Sequence, residues 1–349
     1  MRHFFTVLFT FVSSAIWLSL APAQAALLYA YYDSSNDIVS FDSENPNTIL
    51  SSKQIGLTGE FEYLIGLDFR PATGQLYSFV NNGGVNMRMF TVDPFTGKLT
   101  QVGTSSLAIP AGSNFGLSFA PTSDRLRLVT NLASNTRYNP ETGALSGTDT
   151  ALSYVAGDPA GSASPTITHI AYTSLSTGAA GALVTTLYGI DTARNTLVRI
   201  GGVDGSTSPN GGEVTTIGAL GVVGSALGGF AIAPRTNKAY AAMNTGVPAV
   251  ATLYEINLSN GLATFRGVIG SGSARIGGLA IKDTSSCYDL DGDGNILALT
   301  DGLMLLRALL GMTGTSVIAN ALPSATPPRS TWSAIRAHLN TTCGMSFAP

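Results

Sequence analysis

The sequence predicts an all-β fold, a β-propeller of five four-stranded blades whose ring is closed by strands from its two ends, followed by a small α-helical module. Three observations predict it. One short unit is restated about every fifty residues over positions 27–282, a period within the range of propeller blades. Forty Gly, a heavy load of Thr, Ser and Ala, and only 11% charged residues suit a turn-rich, strand-dominated chain better than a helical or disordered one. The unit is also incomplete at both ends, and the two remnants complement one another.

The first 25 residues stand outside that fold. Arg2 leads an apolar run over residues 4–20, and Ala23-Gln-Ala25 ends it with the small residues a signal peptidase needs. Residues 1–25 therefore read as a cleaved secretory signal, with a signal anchor as the alternative. No later apolar run approaches the roughly twenty residues of a membrane helix, so no transmembrane segment is expected after cleavage. The expected location is secreted, extracellular or periplasmic, and the expected state is a monomer. A formal net charge of −3 with no block of like charges argues against a nucleic-acid partner.

Residues 26–283 carry the repeat. Gly66-Leu-Asp-Phe69, Gly116-Leu-Ser-Phe119, Gly229-Phe-Ala-Ile232 and Gly278-Leu-Ala-Ile281 read as apolar, Gly-led innermost strands, and His169-Ile-Ala-Tyr172 is a looser fifth copy. After three of them a Pro-containing turn leads into a second strand, as in Arg70-Pro-Ala-Thr-Gly-Gln-Leu-Tyr77. A third strand ending in an Asp or Asn turn, and then a fourth, are read at residues 89–100, 136–145, 187–198 and 253–262. Asp42, Asp93, Asn139, Asp191 and Asn257 recur there as Asx-turns. Gly278-Leu-Ala-Ile281 is an innermost strand with no successors, whereas residues 27–32, 37–41 and 49–55 are outer strands with no innermost strand before them. Joining them closes the ring as a fifth blade and leaves only short edges. A non-closed sandwich, or six or seven blades with degenerate units within 148–165 or 203–224, are the alternatives.

The unit resembles the secreted bacterial family catalogued as domain of unknown function 4394. The residues that carry the resemblance are Leu64-Ile-Gly-Leu-Asp-Phe-Arg-Pro-Ala-Thr-Gly-Gln-Leu-Tyr77, Asp124-Arg-Leu-Arg127 with Arg137-Tyr-Asn-Pro140, Thr186-Leu-Tyr-Gly-Ile-Asp191 and Gly218-Ala-Leu-Gly-Val222. It implies a propeller-like extracellular domain with no established activity.

Residues 284–349 form the second unit. Asp289, Asp291 and Asp293 alternate around a loop with Gly294 where an EF-hand turns sharply and Ile296 where such loops anchor to the core, so hard oxygen ligands for Ca2+ are expected. The stretch from Cys287 to Gly311 resembles a dockerin half-repeat. By that resemblance Asp289, Asp291, Asp293 and Asp301 give side-chain oxygens and Asn295 its backbone carbonyl. Thr300 stands at loop position twelve and Asp301 one residue later, so either the loop is one residue longer than the standard form or the last carboxylate is missing. Thr300 can cap a helix whose Leu303, Leu306 and Leu310 keep one face and which Gly311 ends. Trp332, Ile335 and Leu339 repeat at helical spacing on a second helix that should pack on the first. The second half has no Asp-x-Asp-x-Asp series, so ordinary two-site docking to a cohesin-like protein is in doubt. Cys287 and Cys343 bracket this unit in an exported chain, and a disulfide between them is expected.

Chemistry is sparsely supplied. With the leader removed only His169 and His338 remain, in different units, and neither a Gly-x-Ser-x-Gly elbow nor a phosphate loop is present. His169 reads as a core or channel residue. No catalytic residue is therefore assigned. Arg70, Arg125, Arg127 and Arg137 are the strongest polar concentration, a candidate site for a carboxylate or sulfated sugar, with blade-to-blade salt bridges as the competing reading. The sequence points to a secreted, non-catalytic recognition or display protein whose partner is an extracellular glycan or a cohesin-like protein. The alternatives are an extracellular carbohydrate-active enzyme using channel carboxylates and a cohesin-type scaffold-tethered component.

Overall fold

The computed structural model describes the chain except residues 1–25, 60, 82, 178–180, 235, 283–287, 292–296, 323–326, 328, 342, 344 and 349. The leader, Cys287, Asp293 and Asn295 thus lie outside the described residues.

Five sheets stand around one axis. Their innermost strands are Tyr63–Phe69, Phe115–Ala120, Ile167–Tyr172, Gly228–Ile232 and Ile276–Lys282, each packed against the next and the last against the first. The first, second and fourth blades run outward in chain order. In the fifth, Ile276–Lys282 pairs antiparallel with Leu27–Tyr32, whose outer neighbours are Asp37–Asp42 and Asn45–Gln54. The ring is closed by both ends of the domain, as the strand inventory requires.

The blades read as nearly unbroken apolar runs because each is buried on both faces. Leu28 and Ala30 enter the core shared with the fourth blade, while Tyr29 and Tyr31 enter the core shared with the first. Alternation along one strand therefore assigns neighbouring residues to two cores, each apolar. The Gly that leads the innermost strand follows from crowding at the axis. A Cβ on Gly229 would stand 2.2 Å from the Leu279 nitrogen of the next blade.

Blade three departs from the sequence reading. Leu187–Asp191 is its second strand, Thr196–Ile200 its third and Glu213–Ala219 its fourth, with Ser153–Tyr154 added in parallel at the rim. The short ribbon of Ser176–Thr177 and Leu183–Val184 fills the connection that is a tight Pro turn elsewhere. Residues 187–198 are therefore one strand further in than expected, and Asp191 sits at a different blade position from Asp42, Asp93, Asn139 and Asn257. The segments 148–165 and 203–224 hold this blade's outer strands, not further blades.

The C-terminal unit has its own core of Leu290, Met304, Ala308, Val317, Trp332, Ile335 and Leu339. Trp332–Thr341 packs its expected face there. Leu303–Leu309 does not: Met304 and Ala308 are buried, whereas Leu306 and Leu310 are 54% and 72% exposed. A wide π-turn over Ala298–Gly302 precedes this helix, Leu303 packs at the margin of the core while Leu306 and Leu310 stand outside it, and Thr300 makes no cap. Gly311, at φ 80°, does end the helix; its N–H bonds Ala308 and that of Met312 bonds Arg307, both at 3.0 Å. No described helix is long and apolar enough to cross a membrane.

Candidate functional site

One end of the propeller channel opens into a cavity of about 410 Å³. All five innermost strands reach it through their C-terminal residues, and Asp289, Arg329 and His338 of the C-terminal unit line it as well. At the third position of the strand motif stand Asp68, Ser118, Ala171, Ala231 and Ala280, so the first two blades alone put polar side chains there. Asp68 Oδ2 accepts the Phe119 N–H at 2.7 Å and the Ser118 hydroxyl at 3.0 Å, and Ser118 Oγ in turn accepts the Tyr172 N–H at 3.2 Å. Three blades are thereby laced together at the mouth. Burial pushes the Asp68 carboxyl up to about 7, against the opposing pull of these donors. Sequence reasoning passed over Asp68, although an acid inside an apolar inner strand was the available signal.

Lys282 ends the fifth blade's inner strand at the rim of the cavity. Its ammonium lies 5.3 Å from the centroid of the Phe95 ring, and it takes part in none of the described ion pairs. Burial alone pulls its pKa down. Nearer the waist of the channel, His169 is buried against the Ser225 carbonyl at 3.4 Å, and burial lowers its pKa to about 4.

The four arginines are turned to internal partners. Arg70 is ion-paired with Asp124 and Glu141 across the seam between the first two blades. Arg127, 2% exposed, donates to Tyr172 Oη at 2.8 Å, to Asp149 at 2.9 Å, and to Asn135 and Asn210. Arg137 forks onto the same Asp149 through two bonds of 2.7 Å. Arg125 donates only to backbone carbonyls in its own turn, those of Ser123 and Asp124. Of the four, Arg70 lines the cavity.

A second concentration lies in the C-terminal unit. Asp289, Asp291 and Asp301, all buried, place carboxylate oxygens within 4.8 Å of one another. Asp301 accepts the N–H groups of Leu290 at 2.6 Å and Leu297 at 3.0 Å, and the Thr300 hydroxyl at 2.8 Å. The threonine thus supports the aspartate, whose carboxylate is the one that joins the cluster. Arg329 ties the loop from behind. Its N–H bonds the Asp291 carbonyl at 2.7 Å, its Nε the Leu290 carbonyl at 2.9 Å, and its guanidinium also reaches the Asp289 carbonyl. An all-oxygen, multiply anionic donor set suits a hard divalent cation such as Ca2+.

The family model described as "Domain of unknown function (DUF4394)" matches residues 37–280. No curated protein matches the chain. Among solved structures, the chain is similar to Myxococcus xanthus glutaminyl cyclase at 13% identity, covering 70% of this chain and 97% of that one with a TM-score of 0.39. It is also similar to a periplasmic gluconolactonase of Pseudomonas aeruginosa at 12% identity, covering 74% and 70%, with a TM-score of 0.34. Likeness this distant says nothing of what the present chain binds or transforms.

Proposed function

The chain belongs to the DUF4394 family, and from that premise we propose that it is a secreted, non-catalytic recognition or display protein, a propeller carrying a dockerin-like module stabilised by calcium. The observation that carries this reading is the gathering of Asp289, Asp291 and Asp301. Three buried carboxylates repel one another, and a bound cation removes both the repulsion and the desolvation penalty. Asp293 and the Asn295 carbonyl complete the proposed ligand set, and a Cys287–Cys343 disulfide clamps the ends of the module. The lack of a free cysteine among the described residues supports that pairing.

The enzymatic alternative, hydrolysis of glycans by channel acids, calls for two carboxylates flanking one bond. Two acids among the described residues line the mouth, Asp68 and Asp289, and Asp289 belongs to the carboxylate cluster assigned to the cation, which leaves Asp68 without a second free carboxylate and favours recognition. The tether reading draws support from Leu306, Leu309 and Leu310, exposed by 54%, 63% and 72%, a face suited to a cohesin-like partner.

Titration calorimetry of the mature chain with Ca2+ tests the central claim. A saturable site is expected, with a melting transition of the module that rises between chelator and millimolar calcium. Identical melting in the two conditions overturns it.

A further inference from the structure

We propose that the channel mouth is a binding pocket for a small organic carboxylate with an apolar body, its anionic end held by Lys282. This deepens the recognition role proposed above by naming the ligand class, and it does not depend on calcium.

A cavity of about 410 Å³ lies within the range that encloses a small organic ligand. Its walls are mainly hydrocarbon, with Phe69, Phe119, Ile232 and Ile281 contributed by four different blades. Such walls reward an aromatic or branched aliphatic body and offer few groups to the many hydroxyls of a neutral sugar.

Charge selects the other end of the ligand. Of the propeller cations at the mouth, Arg70 is already saturated by Asp124 and Glu141. Among the described residues Lys282 takes part in no ion pair, and its ammonium stands over the Phe95 ring, a cation–π contact that offsets part of its loss of hydration. A carboxylate would supply the missing counter-charge at a partly desolvated site, where a charge-assisted hydrogen bond is strongest. The lysine's flexible stem lets the ammonium follow an anion at the rim. Asp68 is engaged elsewhere, its carboxylate accepting the Phe119 N–H and the Ser118 hydroxyl.

The test uses the full mature chain and ligand-observed NMR with phenylacetate, 3-phenylpropionate, phenylacetamide and glucuronate as probes. The two aryl acids should bind, the amide at least about tenfold more weakly, as expected for loss of a charge-assisted contact. Lys282→Gln should weaken the acids by a similar factor while leaving the amide unchanged. Ala72→Trp, a substitution at an exposed rim position, should block every probe, with an unchanged melting curve showing that the ring is intact. Equal binding of acid and amide, or acids unaffected by Lys282→Gln, overturns the ionic anchor. Binding of glucuronate in preference to the aryl acids overturns the apolar body, and undiminished binding in Ala72→Trp places the probes elsewhere and overturns the pocket. Repeating the titration in chelator separates the claims: acid binding that survives there, alongside calorimetry showing no calcium site, leaves the pocket standing and removes the calcium reading alone.

Discussion

The Ser118 hydroxyl donates to Asp68 at 3.0 Å across the seam between the first two blades. Because the same carboxylate also takes the Phe119 N–H, the acid is a fastener of the ring as well as a polar group at its mouth.

Asp68 and His169 should tilt the stability–pH curve in opposite directions. Asp68, raised from 3.8 to about 7, holds more protons folded than unfolded, so its contribution is present below pH 4 and is lost as pH rises through 7. His169, lowered from 6.5 to about 4, contributes above pH 6.5 and loses that contribution as pH falls toward 4. Between pH 4 and 6.5 the two slopes oppose. Urea denaturation over this window should show Asp68→Asn gaining stability with pH more steeply than wild type, by about 1 kcal/mol per unit, and His169→Gln less steeply by a similar amount. Parallel curves would refute the assignment.

Arg127 is a buried cation with four partners, so truncation leaves several of them unsatisfied. Arg127→Met should destabilise the propeller by about 3–5 kcal/mol in chemical denaturation. Arg125→Ala, which removes only contacts to backbone carbonyls within its own turn, should cost a few tenths.

Asp301, not Thr300, should close the metal site. Calorimetry of Asp301→Asn should show calcium affinity reduced at least about tenfold, because a first-sphere carboxylate goes. Thr300→Val, which loses a hydrogen bond to that carboxylate and a long one to the Leu297 carbonyl, should bind nearly as wild type. The reverse ranking would make the threonine the ligand.

Non-reducing peptide mapping should recover Cys287 linked to Cys343. Recovery of two alkylatable thiols from the native protein would exclude the bridge.

Deleting residues 27–54 should expose Ile276–Lys282 and strip one side from two interblade cores. Aggregation is the expected outcome by light scattering. A folded monomer with unchanged melting would show that the fifth blade is dispensable.

Much of this architecture was legible because a propeller repeats its solutions. The Gly-led inner strand recurs where backbones crowd the axis, as at Gly229, and the Pro turn recurs where a hairpin must be short. Blade three was misread because a short ribbon of Ser176–Thr177 and Leu183–Val184 stands in place of that turn, in a stretch of small residues that carries no periodic signal. The leucines at 303, 306 and 310 have ideal helical spacing, yet spacing does not say which way their face points: Leu303 edges the core while Leu306 and Leu310 stand exposed. The arginines stood out in sequence as cations; only tertiary geometry showed that Asp149 and Asp124 had already claimed three of them.

Pairing Leu27 with Lys282 also sets an order of events during synthesis. The first strand can pair at once with Asp37–Asp42 but waits for its inner partner about 250 residues behind it, so the ring cannot be finished until nearly the entire domain has been translated. Until then its inner edge is left unpaired and open to pairing with another chain. Stalling before residue 276 would leave the ribosome holding an unclosed ring.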